Sequence, residues 1–157
     1  MSIRLQVGVD VSADPATVWD VMTDWAGQAD WIPFTQVDVR SAHTDGLGVR
    51  AEALSGFRLG GRPIGLLDRF VVTGWLPPTD RVAGELEVLH LGPYFTGEGV
   101  FRLEPIPTGT RVVCTEVFSV PGGALSTSLV GLGLPVMRQA FRRSLTKMAR
   151  IAEQRTA

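Results

Sequence analysis

The sequence predicts an α+β fold in which a curved antiparallel sheet of seven strands wraps around one long C-terminal helix, with two short helices after strand one. Between about residues 34 and 118 the chain reads as strands joined by Gly- and Pro-rich turns. From residue 122 to about 155, apolar residues recur at helical spacing: Leu125, Leu129, Leu132, Val136, Ala140, Leu145, Met148 and Ile151. A helix about 10 Å wide cannot cover a sheet roughly 30 Å across, so we expect the sheet to curl and leave a cavity.

The first elements are one strand and two short helices. Strict alternation of apolar residues predicts strand one from Ile3 to Val11. Asp14 is placed to cap the following helix, and Pro15 suits its first turn. Gly27 ends this helix, and a second short helical segment follows. These segments carry three tryptophans that we expect to pack in the core, two of them also at the cavity rim: Trp19, Trp25 and Trp31.

Six further strands and the long helix complete the chain. The predicted strands are 34–41, 49–58, 64–75, 82–91, 94–104 and 110–120. Asp45-Gly46 predicts a tight hairpin between the first two of them. The final helix contains Gly131, Gly133 and Pro135. Because proline removes one backbone hydrogen bond and clashes with the preceding turn, we expect a kink or a break there.

Composition is that of an ordinary soluble protein and predicts a single domain spanning residues 1–157. A net charge of −1 gives no indication of nucleic-acid binding. One cysteine, Cys114, excludes an intramolecular disulfide and a Cys-rich zinc site and fits a reducing compartment. The chain shows neither a signal-peptide pattern nor an apolar run of membrane-spanning length, so we predict a cytoplasmic protein.

Strand alternation assigns a mostly apolar inner face with three ionisable exceptions, Asp68, His90 and Glu116. Three interpretations remain open. The three groups act as general acid and base, they orient one polar group of an apolar ligand, or each lies near a strand end and is satisfied locally, Asp68 by Arg62. Glu116 is the strongest candidate because it lies in the middle of its strand.

Two glycines, Gly97 and Gly99, share the inner face with phenylalanines and predict either sheet curvature or free space. The scattered histidines and carboxylates lack metal-ligand spacing, so neither a metal nor a cofactor is predicted. The predicted ligand-binding set, with the three ionisable residues as catalytic candidates, is Trp25, Trp31, Phe57, Asp68, Phe70, His90, Phe95, Phe101, Cys114, Glu116, Phe118, Leu132, Val136 and Met137.

Four short stretches carry a resemblance to a known superfamily. Residues 9–19, Val-Asp-Val-Ser-Ala-Asp-Pro-Ala-Thr-Val-Trp, resemble an opening strand followed by a P-x-x-V-W helix. Residues 31–33 (Trp-Ile-Pro), 76–78 (Leu-Pro-Pro) and 108–112 (Thr-Gly-Thr-Arg-Val) resemble three later turns in the same order and spacing. The chain thus resembles the START-like or Bet v 1-like (SRPBCC) superfamily, the helix-grip fold, and more closely its bacterial polyketide cyclase/dehydrase-like branch.

The resemblance implies a pocket for an apolar small molecule or lipid between the sheet and the last helix. The leading hypothesis is therefore binding or transfer of such a molecule. The alternative is a polyketide cyclase/dehydratase-like enzyme that uses the three ionisable residues, and a third is a regulatory protein with a vestigial cavity. The basic side of the last helix is either a solvated face or a surface for transient contact with an anionic membrane. Both a monomer and a homodimer fit the sequence.

Overall fold

The predicted fold class is confirmed by a computed structural model, which describes residues 2–156 and has a helix-grip architecture. Seven strands form one antiparallel sheet in the order β1-β7-β6-β5-β4-β3-β2. The strands are β1 (Ile3–Val11), β2 (Thr35–Val39), β3 (Arg50–Leu59), β4 (Arg62–Leu76), β5 (Gly84–Pro93), β6 (Thr96–Ile106) and β7 (Gly109–Ser119). The helices are α1 (Pro15–Thr23), a 3-10 helix (Ala26–Asp30) and α2 (Gly123–Thr156).

The first elements form as local sequence rules predict. Side chains of β1 alternate between buried and exposed over most of its length, as a half-buried strand requires. Asp14 caps α1, because its Oδ1 accepts a hydrogen bond of 2.9 Å from the backbone N–H of Thr17. Pro15 occupies the first turn, where its missing N–H costs no helical hydrogen bond. β1 and α1 thus provide a fixed wall against which α2 packs.

The tight hairpin predicted at Asp45-Gly46 is wrong. Residues 40–49 form a longer connection, which is held by hydrogen bonds from the indole N–H of Trp25 to the Thr44 carbonyl (2.8 Å) and from the Gly48 N–H to the Val72 carbonyl (2.9 Å). The tight turn joins β3 to β4 instead, at Gly60-Gly61, where both glycines have positive φ. The end of this β3–β4 hairpin, residues 57–66, is exposed on both faces.

Helix α2 runs through Pro135 without the predicted break. Proline removes only one backbone hydrogen bond, and the turns on either side continue the helix. The predicted apolar stripe is correct for Leu145 and Met148, which are buried. It is wrong for the first half, where four of its members are 62–80% exposed: Leu125, Leu129, Leu132 and Val136. Within residues 2–156, no helix has a stretch long and apolar enough to cross a membrane.

Candidate functional site

A cavity of about 590 Å³ lies between the curved sheet and α2. All seven strands, α1, the segment around the 3-10 helix and α2 contribute side chains to its walls. The walls are mainly apolar and include eight large aromatic side chains: Trp25, Trp31, Phe70, Tyr94, Phe95, Phe101, Phe118 and Phe141. Among the residues that the structure describes, none lining the cavity is Lys or Arg.

The three predicted ionisable residues form one buried cluster on this wall. His90 on β5 lies between the two carboxylates, with its Nδ1 2.8 Å from Asp68 Oδ2 and its Nε2 3.1 Å from Glu116 Oε2. The three side chains are 9–15% exposed. Asp68 therefore pairs with His90, and the predicted pairing with Arg62 is wrong. A buried imidazole held on both sides by carboxylates is the most polar feature of the cavity.

Two glycines on β6 make the contact between His90 and Glu116 geometrically feasible. These residues stand on β5 and β7, so their side chains have to meet across the intervening strand. Gly97 lies opposite His90, and Gly99 lies opposite Glu116. A Cβ atom added at Gly99 would lie 2.8 Å from both Glu116 carboxylate oxygens. The space predicted at Gly99 is thus occupied by Glu116, whereas a Cβ atom at Gly97 would meet the β7 backbone at Val117 and Phe118.

The protonation of His90 follows from its two partners. Burial by itself would lower the pKa of His90, but hydrogen bonds to Asp68 and Glu116, together with the charges of both carboxylates, outweigh burial and raise the pKa to about 9. At neutral pH the ring is an imidazolium that donates one hydrogen bond to each carboxylate. Two carboxylates and one imidazolium leave the cluster with one net negative charge.

Cys114 supports the cluster from the core side. Its side chain is buried, and its thiol donates to Glu116 Oε1 over 3.7 Å. Burial and the neighbouring Glu116 carboxylate raise the pKa of this thiol well above its ordinary value. Cys114 is therefore a protonated thiol whose hydrogen bond helps to position Glu116.

Within residues 2–156, two polar atoms in the cavity walls are buried without a hydrogen-bond partner, Asp68 Oδ1 and the indole Nε1 of Trp31. By contrast, the indole of Trp25 is satisfied by the Thr44 carbonyl. An unpaired buried donor or acceptor carries a desolvation cost of about 1–3 kcal/mol. A ligand that supplies the missing partners would recover part of that cost.

The cluster leaves few of its polar atoms free. Both nitrogens of His90 are engaged by carboxylates, so the ring presents neither a free acid nor a free base to a ligand. Glu116 uses one oxygen for His90 and the other for the Cys114 thiol. Asp68 Oδ1 is the acceptor that the protein leaves unpaired. The hydrogen bonds available to a ligand are thus one accepted by the Asp68 carboxylate and one donated by the Trp31 indole.

Most of the predicted ligand-binding residues lie in the cavity wall. These are Trp25, Trp31, Asp68, Phe70, His90, Phe95, Phe101, Glu116, Phe118 and Met137. Four predicted residues lie outside it. Cys114 is buried behind Glu116, while Phe57, Leu132 and Val136 are 61%, 80% and 75% exposed. Phe57 is exposed because the β3–β4 hairpin extends past the cavity, and the other two are exposed because α2 presents a different face to it.

Several residues of α2 that line the cavity were not in the predicted ligand-binding set. Val130, Ala140, Phe141 and Ser144 line the cavity together with Met137. Their spacing of three, four and seven residues is also helical, so α2 carries a second apolar face between residues 130 and 144 that competes with the predicted stripe. The one aromatic residue on this second face, Phe141, was the sequence feature that could have indicated that the face lines the cavity. Gln28 and Tyr94 were missed as well, and both stand beside predicted turns.

Solved structures with the same fold are numerous but distant in sequence. TTHA0849 from Thermus thermophilus has a TM-score of 0.69 at 16% identity, covering 100% of both chains. The ZhuI aromatase/cyclase from Streptomyces sp. R1128 has a TM-score of 0.70 at 19% identity, covering 100% of this chain and 97% of that one. Ara h 8.0201 has a TM-score of 0.65 at 10% identity, covering 97% and 98%.

At these identities the solved structures show the fold of the chain and nothing more specific. The family follows from comparison of the sequence. No curated protein is significantly similar to the chain in sequence. A family model described as "Polyketide cyclase / dehydrase and lipid transport" matches residues 2–153, nearly the whole chain. The cavity between the curved sheet and α2 agrees with this family. The protein therefore belongs to the polyketide cyclase/dehydrase and lipid transport family.

Proposed function

We propose that the protein binds an apolar small molecule or lipid inside the cavity. The observation that supports this most is a chamber of about 590 Å³ whose walls are mainly apolar and whose ionisable groups are paired with one another. Ligand sites in proteins are usually apolar cavities of roughly 300–1,000 Å³ with a few polar groups that orient the ligand. Asp68 Oδ1 and the indole N–H of Trp31 are two polar groups that remain available for this orientation.

Binding is tested with N-phenyl-1-naphthylamine, an uncharged probe whose fluorescence rises in apolar surroundings. Ala140 lies on α2 at the cavity wall yet is exposed, so Ala140→Trp would block the cavity without disturbing the core. Gln139→Trp, at the adjacent exposed position outside the wall, is the matched control. We expect the wild type and Gln139→Trp to bind the probe and Ala140→Trp to bind at least about tenfold more weakly, a loss of about 1.4 kcal/mol. A wild type that leaves the probe fluorescence unchanged would refute the proposal.

A transfer role is supported by one exposed face of α2. In its first half this face carries Leu125, Leu129, Leu132 and Val136. In the second half the same helical face continues with Arg143, Lys147 and Arg150. Residues 123–152 contain no Asp or Glu. Apolar side chains followed by basic ones suit an anionic lipid surface, where the leucines insert and the basic residues contact headgroups.

Flotation with phosphatidylcholine vesicles, with and without phosphatidylglycerol, tests this contact. We expect binding that increases with phosphatidylglycerol, is lost in Leu129→Ser/Leu132→Ser, and loses its dependence on phosphatidylglycerol in Arg143→Gln/Arg150→Gln. Leu47→Ser, 63% exposed in the 40–49 connection, is the control. If the wild type instead sediments as a dimer that Leu129→Ser/Leu132→Ser dissociates, the face joins two copies of this chain.

The second candidate function is a cyclase or dehydratase acting on a polyketide-like substrate. The description of the family, the aromatase/cyclase among the similar structures and the Asp–His–Glu cluster in the cavity wall all favour it. Catalysis would require the ligand to displace one carboxylate from His90 and free a nitrogen for proton transfer. Incubation with a linear poly-β-ketone, followed by absorbance of the aromatic product, tests it. Turnover that Glu116→Gln abolishes while probe binding is unchanged would favour the enzyme over the carrier.

A further inference from the structure

The ionisable groups of the cavity wall are unbalanced, because two carboxylates share one histidine and no Lys or Arg of the described chain lines the wall. Asp68 and Glu116 face it, and the single imidazolium of His90 balances only one of them. None of the described wall residues is Lys or Arg, although the chain has 15 of them. A charged group in an apolar cavity is costly unless it is paired. The uncompensated charge therefore bears on which ligands can enter.

The uncharged polar groups of the wall do not alter this balance. The amide of Gln28 donates to the Met22 carbonyl, and the hydroxyls of Thr35 and Ser55 bond to each other over 2.8 Å. The indole N–H of Trp31 is an unpaired donor, which suits a hydroxyl, ether or carbonyl oxygen but does not neutralise an anion. Asp68 Oδ1 is an unpaired carboxylate acceptor.

Aromatic rings surround the cluster. The ring centroid of Phe95 lies 5.0 Å from that of His90, and the centroid of Phe70 lies 6.5 Å from it. Trp25 packs on Phe70 with centroids 5.6 Å apart. The faces of aromatic rings attract cations and repel anions. A carboxylate with a free oxygen among aromatic rings is the kind of environment that binds an ammonium group.

We propose that the cavity selects apolar amines and rejects apolar acids of the same size. The ammonium group donates hydrogen bonds to Asp68 Oδ1 and neutralises the net charge of the cluster, while the hydrocarbon part fills the space along α2. A fatty acid placed in the same way would bring a third carboxylate beside Asp68 and Glu116 with no cation to pair with. This inference deepens the proposed ligand binding and depends on it.

The test compares three ligands that share one chain length and differ only in the head group: decylamine, decan-1-ol and decanoate. Each displaces N-phenyl-1-naphthylamine from the wild type at pH 7 and low ionic strength. We expect decylamine to displace the probe at a concentration about tenfold or more below that of decanoate, with decan-1-ol between them. In Asp68→Asn the preference should shrink to within about threefold, because the variant keeps the shape of the side chain and removes the charge.

Two further variants make the result decisive. Asp38→Asn removes an exposed carboxylate on β2 and should leave the preference unchanged. Glu116→Gln removes the other charge of the cluster, and it replaces Asp68→Asn if circular dichroism shows that the latter is unfolded. If the wild type fails to bind the probe, ligand binding itself is refuted. If the probe binds and decanoate displaces it as well as decylamine does, only the amine preference is refuted.

Discussion

The two halves of α2 contain similar apolar residues in opposite environments. In the second half Leu145 and Met148 are 1% and 0% exposed and pack in the core with β1 and α1. In the first half Leu129 and Leu132 are 62% and 80% exposed, while another face of the helix borders the cavity. The C-terminal part of α2 therefore closes the core, the middle of the helix from Val130 to Leu145 borders the cavity, and the outer face of the first half is uncovered. Core packing is thus concentrated towards the C-terminal end of α2, and Leu145 stands at the boundary because it packs in the core and also lines the cavity.

The largest expected effect separates the two halves directly. Met148→Ala removes a fully buried side chain and should lower the free energy of unfolding by roughly 2–5 kcal/mol, through lost burial and a new void. Leu132→Ala, on the exposed face, should change it by less than about 0.5 kcal/mol. Urea unfolding followed by tryptophan fluorescence measures both. Equal losses would show that the first half is also packed, as it would be inside a dimer.

The second prediction concerns the pH dependence of stability, which should come from His90 in the cavity wall. The pKa of His90 is raised from 6.5 to about 9 in the folded protein, so its stabilising contribution is complete below pH 6.5 and is lost as the pH rises through 9. The lost stability should be on the order of 3 kcal/mol, since one pKa unit corresponds to about 1.4 kcal/mol. Urea unfolding between these pH values should show this fall.

Two histidine variants assign the pH dependence. His90→Gln should remove it, while His43→Gln, at an exposed position in the 40–49 connection, should retain it. A His90→Gln protein with the same pH dependence as the wild type would contradict the buried ion pairs. Met148→Ala should lower stability equally at both pH values, because the hydrogen bonds of His90 join it to Asp68 on β4 and Glu116 on β7 and not to α2.

The sequence predicted the elements better than their contacts. The bounds of β1 are as predicted, because its alternation is uninterrupted. The inward direction of Asp68, His90 and Glu116 also follows from alternation, but their meeting does not. Two register shifts between β4 and β5, near Asp68 and Val72, decide which residues face each other, and no local pattern specifies them. The contact across β6 further depends on a glycine pair whose role is visible only in three dimensions.

The buried face of α2 could not be chosen from periodicity alone. The stripe through Leu129 and Leu132 is more regular than the one through Val130, Met137 and Phe141, yet the less regular stripe borders the cavity. Apolar spacing shows that a helix face is able to pack, but it does not show which other element packs against that face. In α2 this depends on the width and curvature of the sheet, which arise from all seven strands together.

A smaller effect is expected at the glycine that separates β5 from β7. Gly99→Ala places a methyl group 2.8 Å from the Glu116 carboxylate oxygens and 3.0 Å from a Val88 methyl carbon. Displacing Glu116 should lower stability by roughly 1–3 kcal/mol and lower the pKa of His90. Urea unfolding and NMR titration of the His90 ring measure the two effects. A stable variant with an unchanged pKa would mean that Glu116 finds an equivalent position, and the glycine would then serve curvature alone.

The smallest effect tests whether the first half of α2 has to move. Gly131 is helical, and a Cβ atom there would meet nothing within 4 Å, so Gly131→Ala should raise the free energy of unfolding by up to about 1 kcal/mol. Gln154→Ala, at an exposed position in the second half of α2, is the matched control and should change stability by a few tenths of a kcal/mol. If a ligand enters by local loosening of the first half, Gly131→Ala slows association of N-phenyl-1-naphthylamine in stopped-flow fluorescence, whereas Gln154→Ala leaves the rate unchanged. A stabilised Gly131→Ala protein that binds the probe at the wild-type rate would show that the cavity is open without any movement of α2, and the difference between its halves would then concern packing alone.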